Sequence, residues 1–259
     1  MKMQTIAGIV ITKNEERNIR PCLDSLRWVD ELIVVDAEST DRTVELARSY
    51  TSKVFVRPWP GYGPQKNFAM EQATTDWILI VDADERVPEE LRQEILGVLR
   101  SPSSAVSAYR LPRRNYYYGH WIRYANQYPD VQLRLLRRNS GRYNDLPMHE
   151  HLEGTGPVED MSAALHHHTS PTVVSHELKI ERYSTLAAYE RCTAGRPDAC
   201  WYHMIFNPGW TFVKLYLLRQ GFRDGLPGLL MCAFSSAHVL LKYAKLWEQR
   251  HCGGQNVPS

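Results

Sequence analysis

The stretch DWILIVDADE (residues 76–85) is the segment from which the fold can be worked out. Its five apolar residues, Trp77 to Val81, are bounded by acids, a pattern typical of a strand covered on both faces. Ligands of open α/β sheets collect beyond the carboxyl ends of the strands. Asp82 and Asp84 lie at that end, where two carboxylates can bind a divalent cation together with substrate phosphates. A D-x-D motif alone is a weak signal, so a solvated acidic turn is the alternative.

The residues on either side of this stretch alternate between strand-like and helix-like patterns. The predicted strands are 5–12, 31–36, 53–57 and the D-x-D strand, and the predicted helices are 15–28, 41–50, 66–73 and 88–100, with a Gly/Pro loop at 58–65. Four successive strand–helix repeats predict an α/β fold with a mainly parallel sheet and right-handed crossovers.

The pattern changes after residue 105. Two strand-like segments, 105–114 and 131–138, flank an aromatic-rich segment and are expected to extend the sheet, and the chain reads as helical from Ser175 onward. We therefore predict one α/β domain over residues 1–174, with halves 1–104 and 105–174. A helical C-terminal region then covers 175–259, and its last residues, from Gly253, form a frayed tail.

Composition and charge narrow the classes of partner. With 259 residues, 43% hydrophobic and 23% charged, the chain has an ordinary globular core, which excludes disorder over most of its length. A net charge of +2 gives no argument for nucleic acid. However, residues 110–142 contain eight arginines and one acid, Asp130. This imbalance predicts a local basic face for an anionic partner.

The cysteines and the apolar segments indicate the compartment. The five cysteines form no C-x-x-C pair, which indicates free thiols in a reducing compartment, the cytosol. The apolar stretch near the N-terminus, Ile6–Thr12, is too short for a signal peptide and is read as the first strand. The uncharged run Gly225–Leu241 is interrupted by serines and a histidine, so an interfacial or buried helix is favoured over a transmembrane one.

Polar residues follow three of the early strands. Strand 1 runs into Thr12 and Glu15, strand 2 into Asp36, and strand 4 into the two aspartates. Acids at neighbouring strand ends repel one another, so stability explains them poorly, whereas a ribose, a base edge and a metal ion would all use them. For Ser39 or Thr40 we favour simple helix capping. Asp36, at a strand tip, is favoured as a ligand-binding residue.

Several ordered blocks of this chain resemble a known family. ITKNEERNI, VVDAESTDRT, RPWPGYGPQKNFAM and DWILIVDADERV resemble family 2 glycosyltransferases of the GT-A fold, which are inverting enzymes that use a nucleotide-diphosphate sugar. The later blocks LPRRNYYYGHWI, YPDVQLRLLRR, MHEHLEG and GFRDGLPG resemble a narrower group, the bacterial lipopolysaccharide core glucosyltransferases that add a β-linked glucose to an inner-core heptose. The resemblance covers nearly all of residues 5–247.

The resemblance implies roles for residues that match the family's motifs. Thr12 and Glu15 would contact the nucleoside of a UDP-sugar, and Asp36 would contact its uracil or ribose. Lys66 would lie in the donor pocket, and Asp82 would contact the ribose side. Asp84 would contact the diphosphate and a Mg²⁺ or Mn²⁺ ion. In this picture residues 1–104 form the nucleotide-sugar half and 105–174 the acceptor half. Two departures stand out: Glu38 replaces a frequent Gly, and Ala125-Asn126-Gln127 stands where relatives often show Gly-Trp, which leaves the exact acceptor open.

Transfer to an anomeric carbon requires a base for the acceptor hydroxyl and a positive centre for the leaving diphosphate. The family's usual position for the acceptor-side acid implies Glu150 as the base, with Asp130 as the alternative. His149 is a candidate contact for the metal ion or the diphosphate.

Three arginines and a histidine triplet complete the candidate residues. Arg113, Arg114 and Arg134 are candidates for binding an anionic lipopolysaccharide core acceptor, because a guanidinium suits such oxyanions, although a solvated face would also explain them. The triplet His166–His168 reads as a core or surface strand end rather than a metal site, since alternate strand residues face opposite ways.

The C-terminal segment predicts a further partner. It mixes tryptophan and tyrosine with basic residues, among them Lys214, Arg219, Lys242 and Lys245, which fits a helix at an anionic bilayer surface. Packing on the catalytic domain or a dimer contact is the alternative. We therefore expect a peripheral enzyme on the cytoplasmic face of the inner membrane.

Three other functions have to be distinguished from transfer to the lipopolysaccharide core. A nucleotidyltransferase would carry a glycine-rich phosphate loop after strand 1, which residues 12–16 lack. A glycosyltransferase for another cell-envelope glycan and a non-catalytic nucleotide-sugar-binding scaffold remain as alternatives.

Overall fold

The computed structural model describes residues 3–101, 103, 105–144, 152–154, 156–194 and 200–251. Its first hundred residues alternate as predicted between strands and helices. The strands are β1 (Ile6–Thr12), β2 (Glu31–Asp36), β3 (Val54–Val56), β4 (Trp77–Asp82) and the short β5 (Glu85–Arg86), and the helices are α1 (Glu16–Asp24), α2 (Thr43–Arg48), α3 (Tyr62–Glu71) and α4 (Glu89–Arg100).

Most of the remaining strands turn this parallel sheet into a mixed one. The remaining strands are β6 (Ala108–Tyr117), β7 (His120–Trp121), β8 (Asp130–Arg137), β9 (Gly141–Tyr143), β10 (Leu152–Gly154), β11 (Val158–Asp160) and β12 (Leu165–Ser170). Of these, β9 and β10 form a separate two-stranded antiparallel sheet. The main sheet has the order β3-β2-β1-β4-β8-β6-β12-β5, in which β1 to β4 are mutually parallel and β8 joins β4 antiparallel. The predicted class, a mainly parallel α/β sheet flanked by helices with a helical C-terminal region, is confirmed.

The core lies on both faces of the parallel strands. All seven residues of β1 are buried. They alternate between two apolar clusters, so that Ile6 and Val10 pack with helices α1 and α4 while Ile9 and Ile11 pack with α3. Complete burial of a large aliphatic side chain is worth about 1.5–3 kcal/mol. This double coverage explains why β1 and β4 read as continuous apolar runs in the sequence.

The segment predicted as a Gly/Pro loop contains the start of a helix. Helix α3 begins at Tyr62, four residues before the predicted start, directly after Gly61 with φ +113°. Pro64 lies in the first turn, where a missing N–H costs no helical hydrogen bond. A Cβ at Gly63 would lie 2.1 Å from the carbonyl oxygen of Asn144, so only glycine permits this approach.

The C-terminal region is helical. Its elements are α5 (Val173–Thr193), α6 (Trp201–Val213), a π-helical turn (Lys214–Leu218), a 3₁₀ turn (Gly221–Asp224) and α7 (Gly225–His251). Helices α5 and α6 both pack against α7. The start of α5 is fixed by reciprocal bonds between Thr172 and Ser175.

The chain divides into two compact units. The first comprises Met1–Arg113 and Asp130–His167, and the second Arg114–Pro129 and His168–Ser259. The division at residue 174 given by the sequence stays a prediction.

Candidate active site

The polar ends of three parallel strands lie side by side in the first unit. Thr12 at the end of β1 is the register partner of Asp36 at the end of β2. On the other side of β1, Ile11 is the partner of Asp82 at the end of β4. The structure therefore brings Thr12, Asp36 and Asp82 to one edge of the sheet, as the parallel arrangement requires.

The loop after β2 is organised around Asp36. This carboxylate is completely buried and accepts two bonds from Ser39, one from its backbone N–H at 2.7 Å and one from its hydroxyl at 2.5 Å. The capping role favoured for Ser39 or Thr40 is wrong. The first-turn N–H of α2, on Thr43, donates instead to Asp41 Oδ1 at 2.9 Å.

Two residues of these loops adopt left-handed backbone conformations. Glu38 has φ +55°, in the left-handed region that favours glycine. Asn14 has φ +54°, and its Oδ1 accepts from the N–H of Thr40 at 2.8 Å. The loop after β1 is thereby tied to the loop after β2. Glu15 is held in the same way, because its N–H donates to Thr43 Oγ1 at 2.8 Å.

A cavity of about 370 Å³ opens beside Asp82 in the first unit. Its polar lining includes Lys66, Asp82, Arg113, Gln132 and Arg134. Five of the predicted site residues are connected here through ion pairs, and the connection runs through a residue that the prediction omitted, Glu85.

The ion pairs form a chain from Lys66 to Asp130. Lys66 Nζ lies 3.6 Å from Asp82 Oδ1, and Arg134 Nη2 donates to Asp82 Oδ2 at 2.5 Å and to Glu85 Oε1 at 2.8 Å. Glu85, which is completely buried, also accepts from Arg113 Nη1 at 3.2 Å and from the N–H of Asp82 at 2.9 Å. Arg113 Nε and Nη2 both donate to Asp130 Oδ2, at 3.0 and 2.6 Å.

This arrangement determines the charge states of Asp82 and Arg134. Burial disfavours both charges, but Arg134 and Lys66 hold the pKa of Asp82 well below its usual range. Asp82 and Glu85 likewise raise the pKa of the buried Arg134 guanidinium. Both groups are therefore charged at neutral pH, and three acids face three bases around the cavity.

Asp130 is held at both oxygens. Oδ2 takes the two bonds from Arg113, and Oδ1 accepts from Gln132 Nε2 at 3.0 Å. Its side chain is 23% exposed, so solvent still reaches it. Glu150 and His149, the other two candidates on the acceptor side, lie outside the described residues.

Asp84 belongs to a different local group. Its Oδ2 lies 3.3 Å from Nε2 of His167 on β12, and both side chains are largely buried. An imidazole and a carboxylate at this distance could share a divalent cation whose other ligands came from a substrate. Within the described part of the chain there is no cluster of three or more such side chains.

His168 and Arg114 belong to the second unit. In the second unit, the ring of His168 stacks on Tyr116 at 5.1 Å, and Arg114 lies over the ring of Trp121 at 4.8 Å. Arg114 is in that unit, whereas Arg113 and Arg134 belong to the first. The structure therefore groups two of the three predicted acceptor arginines.

Two buried polar side chains at the sheet edge and on α3 have no hydrogen-bond partner among the described residues. They are Thr12 Oγ1 and the amide of Gln65, which is unpaired at both its oxygen and its nitrogen. Buried polar groups are nearly always paired, so these two are candidates for contact with a ligand. The sequence prediction included Thr12 but omitted Gln65, Glu85 and His167. The only available signals were that Glu85 closes the D-x-D stretch and that His167 is the centre of a histidine triplet.

Comparison with known proteins identifies the family. Residues 9–154 match the model of glycosyl transferase family 2. The chain is also 34% identical over 253 residues to the lipopolysaccharide core biosynthesis glycosyltransferase LpsC of Rhizobium meliloti, an alignment that covers 95% of this chain and 93% of LpsC. The chain belongs to glycosyltransferase family 2. It is thus a transferase, as the sequence resemblance implied.

One further relative and one solved structure are similar to nearly the whole chain. An uncharacterized glycosyltransferase of Rickettsia typhi is 28% identical over 257 residues, covering 95% of this chain and 88% of its own. Among solved structures, the mannosyltransferase PcManGT of Pyrobaculum calidifontis, in complex with GDP-Man and Mn²⁺, superposes with a TM-score of 0.54 at 16% identity over 96% of this chain and 89% of its own. Its likeness supports the GT-A assignment of the fold.

Proposed function

We propose that this family 2 enzyme transfers a hexose, glucose from UDP-glucose, with inversion onto a heptose of the lipopolysaccharide inner core. The observation that carries the proposal is the alignment of Thr12, Asp36 and Asp82 along one sheet edge, beside a cavity with Lys66 and Arg134 in its wall. The name of the relative LpsC, which aligns over nearly its whole length, supports the lipopolysaccharide core as acceptor.

Donor binding is assigned to the sheet edge. In this proposal Thr12 and Glu15 contact the nucleoside and Asp36 the uracil or ribose. Asp82, kept ionised by its cationic neighbours, accepts from ribose hydroxyls. Lys66 then lies within reach of the diphosphate, because its ammonium is already next to Asp82.

Asp84 and His167 are the residues we assign to a Mg²⁺ or Mn²⁺ ion. One carboxylate oxygen and one imidazole nitrogen are both ligands that Mn²⁺ accepts, and a cation held by few protein ligands completes its shell with phosphate oxygens. When bound, the ion acts as a Lewis acid on the leaving diphosphate. His167 extends the sequence-based metal assignment, which named Asp84 and His149.

The base is assigned to Glu150, with Asp130 as the alternative. A general base must be able to take a proton from the acceptor hydroxyl. Asp130 already accepts two bonds from Arg113 and one from Gln132, so its oxygens are engaged in positioning. This engagement favours Glu150 as the base. Asp130 is suited instead to orienting Arg113.

The acceptor site is assigned to Arg113 and Arg134, with Arg114 as the third candidate. Nε, Nη1 and Nη2 of Arg113 each donate to a carboxylate, so an acceptor oxyanion would have to share this guanidinium with Asp130 or Glu85. Arg134 Nε is buried and has no partner among the described residues. Arg134 also lines the cavity, where an acceptor can approach its guanidinium. We place the reaction on the cytoplasmic face of the inner membrane, where such an acceptor is anchored.

A panel of nucleotide sugars tests the proposal. The purified enzyme is incubated with UDP-glucose, UDP-galactose or GDP-mannose, with Mn²⁺ or with a chelator, and binding, hydrolysis and transfer to a delipidated inner-core oligosaccharide are measured. We expect Mn²⁺-dependent transfer from UDP-glucose and a β-linked product by NMR.

The other outcomes separate the alternatives. Transfer from UDP-glucose to a different envelope glycan, but not to the core oligosaccharide, would assign another acceptor. Donor binding with neither hydrolysis nor transfer would favour a non-catalytic scaffold. An α-linked product would contradict inversion.

A further inference from the structure

The outer face of α6 is apolar. Side chains on this face are largely exposed, including Trp201 at 69%, Ile205 at 61%, Phe206 at 65% and Trp210 at 59%. The face continues past the end of α6 to residues 217 and 218. We call it the α6 face, and its members are Trp201, Tyr202, Ile205, Phe206, Trp210, Val213, Leu217 and Leu218.

The inner face of α6 packs on α7 through apolar and polar contacts, and Met204 packs against the buried cluster that contains Tyr243. The ring of His203 stacks on Tyr243 at 5.1 Å, and the hydroxyl of Ser236 on α7 donates to the carbonyl oxygen of Pro208 at 2.8 Å. A surface helix of a water-soluble protein buries its apolar stripe and has polar residues facing solvent, whereas α6 is apolar on its outer face as well as on its inner one. An exposed contiguous apolar surface of this kind marks an interaction site.

The charge around the α6 face favours an anionic partner. Residues 201–223 contain Lys214, Arg219 and Arg223 and no acid. Tryptophan and other large apolar side chains next to basic residues are the composition of helices that lie in a membrane interface, where apolar burial and attraction to anionic headgroups add together.

The lysines of α7 do not contribute in the way that the sequence suggested. Lys245 Nζ donates to the carbonyl oxygen of Glu181 at 2.8 Å and to the hydroxyls of Ser184 and Thr185 at 2.9 and 2.6 Å. Burial lowers the pKa of Lys242, whose ammonium lies 4.7 Å from the ring centre of Tyr243. Both lysines take part in packing within the second unit. We therefore assign the candidate membrane-binding surface to α6 and not to α7.

The dimensions of α6 fit a helix lying in the interface rather than crossing it. Thirteen residues of α-helix are fewer than the roughly 20 that a span needs. Among the described residues one helix, Gly221–His251, is long and apolar enough to cross a membrane. It carries two other helices, α5 and α6, packed along it. Length and composition alone are weak evidence for a span.

We propose that the α6 face inserts into the headgroup region of an anionic bilayer, with Lys214 and Arg219 at the lipid phosphates. The inference rests on the proposed function in one respect, that a membrane-anchored acceptor requires the enzyme at the bilayer. The choice of partner follows from the charge and exposure of the face alone.

Vesicle sedimentation of the full chain tests this surface. The probes are vesicles of phosphatidylethanolamine with phosphatidylglycerol, and neutral phosphatidylcholine vesicles. The face variant combines Ile205→Gln, Phe206→Gln and Trp210→Gln, all at exposed positions, so the packing of α6 on α7 is retained. A matched control makes three apolar-to-Gln changes at exposed positions of the first unit, Met3→Gln, Val56→Gln and Val158→Gln.

We expect the face variant to bind anionic vesicles at least about tenfold more weakly than wild type, and the control to bind as wild type does. A second variant, Lys214→Gln with Arg219→Gln, should lose roughly tenfold on anionic vesicles and nothing on neutral ones. Far-UV circular dichroism of each variant should match wild type.

Three results would overturn the inference. The first is binding of anionic vesicles by the face variant as tight as that of wild type. The second is failure of wild type to bind anionic vesicles; if wild type is then a dimer that the face variant converts to a monomer, the face is a protein interface. The third is equal retention of wild type and face variant on the membrane after alkaline extraction, which would indicate that α7 spans the bilayer. Hydrolysis of UDP-glucose, measured on the same samples without vesicles, reports separately on the proposed function.

Discussion

Replacing Glu85 by Gln should destabilise the protein more than any surface carboxylate change would. Glu85 is completely buried and ion-paired with Arg134 at 2.8 Å and Arg113 at 3.2 Å. Removing one partner of a buried ion pair leaves an uncompensated charge and costs about 3–5 kcal/mol. Glutamine retains an oxygen for the N–H of Asp82, so we expect the lower end, about 3 kcal/mol.

Urea unfolding at pH 7, followed by circular dichroism, measures this cost as a fall in the midpoint at unchanged slope. The matched control is Glu45→Gln, which breaks an ion pair with Arg42 whose side chains are 61% and 65% exposed. An exposed pair of this kind contributes little to stability, because solvent screens it. If Glu85→Gln costs no more than Glu45→Gln, the network is hydrated and the reasoning from burial is wrong.

A double-mutant cycle tests whether the loss of stability comes from the contact between Glu85 and Arg113. Combining Glu85→Gln with Arg113→Gln removes a base together with the acid, so the two losses should not add. We expect a coupling energy within the range of about 0.5–3 kcal/mol found for residues in contact. Additive losses would show that Arg113 depends on Asp130 alone.

Three further predictions concern the site. Asp84→Ala should abolish Mn²⁺-dependent transfer, and His167→Ala should raise the Mn²⁺ concentration that transfer requires; both variants should fold. Wild-type activity that does not change when a chelator is added would contradict both predictions. Glu150→Gln should leave donor affinity nearly unchanged and lower transfer by roughly 10²–10⁴-fold, and the base is Asp130 if only Asp130→Asn does so. Because the folded-state pKa of Asp82 lies below its ordinary value of 3.8, the stability that its charge contributes is present above pH 3.8 and is lost as the pH falls below it. In urea unfolding at a series of pH values, Asp82→Asn should therefore reduce the fall in the free energy of unfolding below pH 3.8.

The parallel half of the fold was predictable because its signals are local. An apolar run bounded by acids, repeated at the spacing of a strand–helix unit, specifies buried strands and the edge where their polar ends meet. Thr12, Asp36 and Asp82 were placed together by this logic alone. The start of α3 was missed because Pro64 and two glycines read as a loop, whereas proline fits a helix's first turn.

The rest of the site depends on contacts between residues far apart in sequence. Strands β8 and β12 bring Arg134 and His167 to the D-x-D stretch across 52 and 83 residues of chain, and neither the strand order nor its register is encoded in local periodicity. Ser39 shows the same limit at shorter range. Its position suits a helix cap. Instead, its N–H and its hydroxyl both donate to the buried carboxylate of Asp36.

The three acids at the carboxyl end of the D-x-D stretch have different neighbours, and this separates their roles. Asp82 faces Lys66 and Arg134, Asp84 faces His167, and Glu85 is buried between two arginines. Three carboxylates within four residues would repel one another if they shared one environment. Asp82 and Glu85 share the Arg134 guanidinium, whereas Asp84 lies beside an imidazole. We therefore assign Asp82 to a donor's ribose and Asp84 to a metal ion. Glu85, with no solvent-facing surface, is left to hold the arginines that face the cavity.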